Sequence, residues 1–124
     1  MAVSNRFMAV GVVIMLCTAS CAGFMMHRIH ADKEKWISTA QTEHPHPGDD
    51  LAAMLDYLDS TEHSLVERNH MIWAVGQCRD PRAMPALMTY YTGKPCDHEQ
   101  MLCQYELKKA IDRCSYPRKV RRSE

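Results

Sequence analysis

Glycine is scarce in this chain: five residues in 124, none at the spacing of a phosphate-cradling loop. Such a loop needs clustered glycines so that backbone N–H groups can close on phosphate oxygens, and nucleotide chemistry of that kind is excluded. Also missing are a His-Glu-x-x-His metalloprotease pair and a Gly-x-Ser-x-Gly nucleophile elbow. No pattern brings a nucleophile, a base and an orienting group together, so catalysis is not expected and no cofactor is implied. Net charge is zero, which removes any overall pull on nucleic acid, and the basic C-terminus lacks an aromatic platform for stacking bases. Lys and Arg are absent altogether between Glu43 and Glu67.

What the chain does have is methionine, ten residues of it, and Met favours helix where Gly opposes it. From Phe7 to Met26 no residue is charged, with Arg6 before the run and His27-Arg28 after it. A helix of about 20 residues, rising about 1.5 Å per residue, crosses a hydrocarbon core of roughly 30 Å. A transmembrane anchor over residues 1–27 is the reading this length favours. A cleaved signal has a shorter apolar region that ends at small residues, and here Ala22-Gly23-Phe24-Met25-Met26 carries the run onward. A lipoprotein reading uses Thr18-Ala19-Ser20-Cys21, which resembles a lipobox with Thr in the usual Leu position. Thr18 with Ala22, and Ala19 with Gly23, make small-xxx-small pairs that allow close helix approach, although small residues are common in spanning helices. Arg6 before the span against Arg28, Lys33 and Lys35 after it leans towards a cytoplasmic domain. Cys78, Cys96, Cys103 and Cys114 in the soluble part lean towards an oxidising compartment, and the extracytoplasmic side is the expectation carried forward.

Residues 28–48 read as stalk and linker. Arg28 to Gln41 has neither Gly nor Pro and continues the helix; Pro45 and Pro47 then break it. His44 and His46 fall two apart in that linker, which suits a solvated loop better than metal capture. Helical spacing resumes with Leu51, Met54, Leu55 and Leu58 behind Asp49-Asp50. Ser64-x-x-Glu67 has the form of a capping box and opens a second helix through Leu65, Ile72 and Val75. Asp80-Pro81 supplies an N-cap and a first-position Pro for a third, which carries Met84, Leu87, Met88 and Tyr91 and is expected to end at Gly93. Asp97 is expected to cap a fourth, with the stripe Cys103, Leu107, Ala110, Ile111 and Cys114.

The chain also matches itself. Leu51-Ala52-Ala53-Met54-Leu55-Asp56-Tyr57 aligns with Met84-Pro85-Ala86-Leu87-Met88-Thr89-Tyr90 at an offset of 33, and Ala74-Val75-Gly76-Gln77-Cys78 with Ala110-Ile111-Asp112-Arg113-Cys114 at an offset of 36. Helix pairs repeating at this period signal an α-solenoid. The run Trp73-Ala74-Val75-Gly76-Gln77-Cys78-Arg79-Asp80-Pro81-Arg82-Ala83-Met84-Pro85-Ala86-Leu87 resembles the repeat junction of HEAT proteins, in particular the PBS-lyase type found in bacteria. The expected fold is all-α: a transmembrane helix, a two-repeat α-solenoid of HEAT-like helix pairs over residues 49–115, and a basic tail, 116–124. The resemblance implies a habit of binding other macromolecules and carries no lyase chemistry. Roughly three repeats usually stand alone, so extra burial is expected from a partner, self-association, the membrane surface or a covalent staple.

Two functional readings follow. In the first, the chain is a membrane-tethered scaffold or adaptor that docks a protein partner or another copy of itself. Its surfaces would be an acidic end around Asp49, Asp50, Asp56 and Asp59 and a basic end around Arg118, Lys119, Arg121 and Arg122, which complement each other in head-to-tail stacking. The alternative is a thiol-redox or metal-binding module built on Cys96, His98 and Cys103. Cys96 falls just before a helix start, where the dipole favours thiolate. Cys96–Cys103 pairing requires the loop to fold back over that start, and Cys78–Cys114 pairing requires two helices to converge. Otherwise Cys78, Cys103 and Cys114 pack as small hydrophobes. One zinc site using all four cysteines is disfavoured by the helix between the two pairs, and Cys96, His98 and Cys103 alone lack a fourth ligand.

Overall fold

The computed structural model describes residues 2–116, with side chains from residue 8 onward. Among the described residues the only regular structure is helix. Helix α1 runs from Ala2 to Glu43. Residues 8–32 are exposed on every face, and an 18-residue stretch has a mean hydropathy of 2.1. A helix this long and apolar can cross a membrane or serve as a signal sequence.

The chain divides after Asp32 into two units. The second begins inside α1, and here the structure departs from the expected stalk. Ala40 is fully buried, and Trp36 and Ile37 pack on the same core. Trp36 meets Tyr57 edge-on at 6.3 Å and lies 5.3 Å from His70 between ring centroids. Positions 36, 37 and 40 form a short helical stripe, masked in the sequence by the charges of Asp32-Lys33-Glu34-Lys35. The linker that follows is largely exposed but pinned. The Gln41 side chain bonds both the N–H and the C=O of His46, at 3.0 and 2.8 Å, and the His46 ring reaches the Asp56 carboxylate at 2.5 Å.

Three helix starts follow the sequence closely. Asp49 accepts from Ala52 N at 3.2 Å and opens α2, Asp50–Asp59. Ser64 and Glu67 complete a reciprocal capping box, with backbone bonds of 3.3 and 2.9 Å, and open α3, Leu65–Cys78. Asp80 caps a 3-10 turn, Pro81–Ala83, that leads into α4, Met84–Tyr90. The last helix, α5, spans Gln104–Ser115.

Helix α3 packs on α2 and most extensively on α5, while α4 rests on α5. At the α3–α5 crossing Gly76 admits its neighbour to backbone contact: a Cβ there would stand 2.9 Å from Ala110 Cα. Tyr57, Met54, Leu58, Met71, Ile72, Leu87 and Leu107 fill the interior.

Two boundaries differ from expectation. Helix α4 ends at Tyr90, not Gly93, because Tyr90 O and Thr92 N both bond to the Gln104 side chain. Asp97 caps only one turn, through Glu99 N at 3.1 Å, and the helix proper begins after Cys103.

Candidate functional site

The loop from Tyr91 to Cys103 is held at its base by one buried polar side chain. Gln104 is 5% exposed. Its Oε1 accepts from Thr92 N at 2.7 Å and from Thr92 Oγ1 at 3.2 Å; its Nε2 donates to Tyr90 O and Leu102 O at 3.2 and 3.1 Å. A second clamp comes from α3, where Asn69 Oδ1 accepts from Cys103 N at 2.8 Å. These bonds fold the loop back over the start of α5.

Cys96 lands there. Its Sγ lies 3.7 Å from Sγ of Cys103, so two thiols seven residues apart in sequence are neighbours in space. They differ in access: Cys96 is exposed and Cys103 buried. The backbone N–H of Tyr105, in the first turn of α5, holds the Cys96 thiol below its ordinary pKa, with help from the Cys103 thiol and Gln104 N–H and against some desolvation. Donors at a helix N-terminus stabilise the thiolate because they carry the positive end of the dipole. His98 joins the pair: Cys96, His98 and Cys103 place one ligand atom each within 4.8 Å of one another.

The other two thiols of the packed unit sit towards the ends of α3 and α5, and neither forms a disulfide. Burial pushes the Cys78 thiol up, and burial with repulsion from Cys78 pushes Cys114 up to about 11. Cys114 donates to Val75 O at 3.9 Å. These are inert positions, since the thiolate is the reactive form.

The acidic residues are engaged within the chain. Asp49 pairs with Arg82 at 3.2 Å as well as capping α2. Asp50 accepts from Gln41 Nε2 at 2.9 Å, Asp56 meets His46, and Asp59 accepts from the Tyr90 hydroxyl. Arg118, Lys119, Arg121 and Arg122 lie outside the described residues. Gln104 and Asn69, which position the thiols, went unnoticed in the sequence because nothing local marks a polar residue whose partners lie 12 to 34 residues away. The signal available was weak: a Gln beside Cys103, in a stripe that otherwise buries apolar groups.

Comparison with family models, with curated proteins and with solved structures finds no match.

Proposed function

We propose that the chain is a membrane-anchored helical-repeat module, facing the extracytoplasmic side, whose working part is the Cys96–Cys103 thiol pair. The observation that carries this reading is the 3.7 Å approach of an exposed, acid-shifted thiol to a buried one at the start of α5. The repeat frame is supported by three tertiary bonds at similar separations. Asp49–Arg82, Asp59–Tyr90 and Asn69–Cys103 are 33, 31 and 34 residues apart, near the offsets at which the sequence matches itself. That spacing suits two stacked HEAT-like helix pairs.

The chemistry is thiol–disulfide exchange with a disulfide of a protein partner. The Cys96 thiolate attacks one partner sulfur, a new S–S bond forms, and the second partner sulfur leaves as thiolate. Cys103, on losing its proton, attacks Sγ of Cys96 and expels the first partner sulfur as thiolate. The partner disulfide is reduced by two electrons, the pair is oxidised by two, and the protons of the pair pass to the released thiols. Accessibility sets the roles: the exposed sulfur attacks and the buried one resolves.

Membrane-impermeant maleimide applied to intact cells, before and after reduction, tests this. Labelling of Cys96 only after reduction supports an extracytoplasmic disulfide. A Cys103→Ser variant should then accumulate a mixed disulfide at Cys96. Failure of that variant to accumulate a mixed disulfide would overturn the redox role. A second reading rests on His98, whose ring completes a Cys2His donor set for a soft cation; zinc protection of both thiols from maleimide, reversed by chelation, would favour it.

A further inference from the structure

Three other metal-ligating side chains meet where the end of α1 faces the α2–α3 turn. Glu43 closes α1, His44 follows it, and His63 stands one residue before the Ser64 cap. Nε2 of His44 and Nε2 of His63 are 3.0 Å apart. A Glu43 carboxylate oxygen lies 3.6 Å from the same His63 nitrogen, and the three ligand atoms fall within 4.8 Å of one another. His63 is held firmly: its ring stacks on buried Tyr57 at 3.6 Å between centroids, 3° from parallel, and its side chain is 12% exposed. His44 packs edge-on against the same tyrosine at 5.8 Å, and its backbone N–H bonds to Ala40 O.

Two neutral imidazoles aimed nitrogen to nitrogen share a single N–H···N hydrogen bond, one donating and the other accepting. A cation between them uses both lone pairs. Tetrahedral zinc binds imidazole nitrogen at about 2.0–2.1 Å, which sets two such nitrogens about 3.4 Å apart. The observed separation is a few tenths of an ångström short, a difference that a small ring rotation supplies. We infer that Glu43, His44 and His63 form a site for zinc or a similar divalent cation, with two imidazoles and a carboxylate as ligands and water in the fourth position. The site shares no residue with the thiol pair. Its ligands come from two separate stretches of chain, so the cation ties the end of α1 to the α2–α3 turn and stabilises the folded state by mass action.

Cobalt(II), a spectroscopic stand-in for zinc, can be titrated into the full chain in detergent with Cys96→Ser and Cys103→Ser removing the competing soft donors. Binding of one equivalent is expected, with the intense visible bands of four-coordinate cobalt, no thiolate charge transfer, and a raised Tm. His44→Gln and Glu43→Gln should each weaken binding by more than the roughly 10–100-fold that outer-sphere changes cost. His44 and Glu43 are partly to well exposed, so tryptophan fluorescence should report an intact fold in both variants. Cobalt that leaves the spectrum and Tm unchanged, or binds equally after His44→Gln, would reduce the cluster to an ordinary histidine hydrogen bond and overturn the inference.

Discussion

Replacing Gly76 with alanine sets two effects of opposite sign against each other. In a helix interior, alanine is better than glycine by about 0.5–1 kcal/mol, and on that ground alone Gly76→Ala should stabilise α3. The crossing argues otherwise. The new Cβ would lie 2.9 Å from Ala110 Cα and 3.0 Å from Ala110 Cβ, against an optimum of about 3.5–4.0 Å between carbons. Neither atom can swing aside, because one is backbone and the other is bonded directly to it. Relief requires α3 and α5 to separate by roughly half an ångström or more, which loosens the buried row Val75, Leu107 and Cys114 along the same face. Overpacking of this kind costs about 1–3 kcal/mol; with two fixed atoms met at 2.9 and 3.0 Å the upper half of that range, about 2–3 kcal/mol, applies, so the net effect is a loss of about 1–2.5 kcal/mol. In a unit of this size each kcal/mol shifts Tm by about 4–8 °C, so a fall of roughly 5–20 °C is expected. Tryptophan fluorescence is the assay, since Trp36 and Trp73 are the only tryptophans and both belong to the packed unit. A Tm equal to or above that of the parent chain would refute the backbone-level contact between α3 and α5.

Four further outcomes follow from the same geometry. Ser64→Ala removes half of the capping box and should cost about 1 kcal/mol, read by urea unfolding as a lower midpoint at unchanged slope. Gln104→Met keeps the volume but strips bonds from Thr92 N, Tyr90 O and Leu102 O; a Cys96–Cys103 disulfide that forms less readily against a thiol redox buffer is expected, and an unchanged equilibrium would mean the loop is positioned by something else. At about pH 7, iodoacetamide should alkylate Cys96 in the folded chain well before Cys114, because the first thiol is shifted down and the second up; mass spectrometry of the peptides decides it. Asp49, Asp80 and Glu67 are all held below their ordinary pKa, chiefly by Ala52 N–H, by the Arg82 side chain and by the Ser64 side chain respectively. Their folded values lie below the unfolded ones, so their stabilisation is present above about pH 4 and is lost as pH falls through the folded pKa values. Tm should drop below that pH, and Ser64→Ala should flatten part of the drop.

The parts of the fold that could be read in the sequence are those whose cause is local. A capping box needs four residues, and Ser64-x-x-Glu67 supplies it wherever the helix goes; Asp49 and Asp80-Pro81 are equally self-contained. The apolar stripe of α5 was also readable, because Leu107, Ala110 and Cys114 repeat at helical spacing on a segment otherwise charged. What could not be read depends on distant partners. The Gly93 and Asp97 signals are real turn chemistry, but Gln104 captures the backbone on either side of them, at Tyr90, Thr92 and Leu102, and tertiary bonding overrides local preference. The same holds for His44, which reads as loop until Tyr57 and His63 close on it from two other stretches of chain.

The burial that a pair of helix pairs lacks, and that a partner or a second copy was expected to bring, is met in part within the chain. Trp36, Ile37 and Ala40 extend the core beyond α2 and α3, and Tyr57 is buried with Trp36 on one side and His63 stacked on its face. This changes what a partner would be for. A surface that must be covered selects its partner by apolar area, and such a partner is bound all the time. A unit whose core is partly closed from inside depends less on a constant occupant, and Asp49, Asp50, Asp56 and Asp59 already pair with Arg82, Gln41, His46 and Tyr90. The Cys96 sulfur stays exposed, held over the amides of α5 beside a buried second thiol. In the proposed redox reading, engagement through that sulfur would be transient, since the resolving thiol ends it.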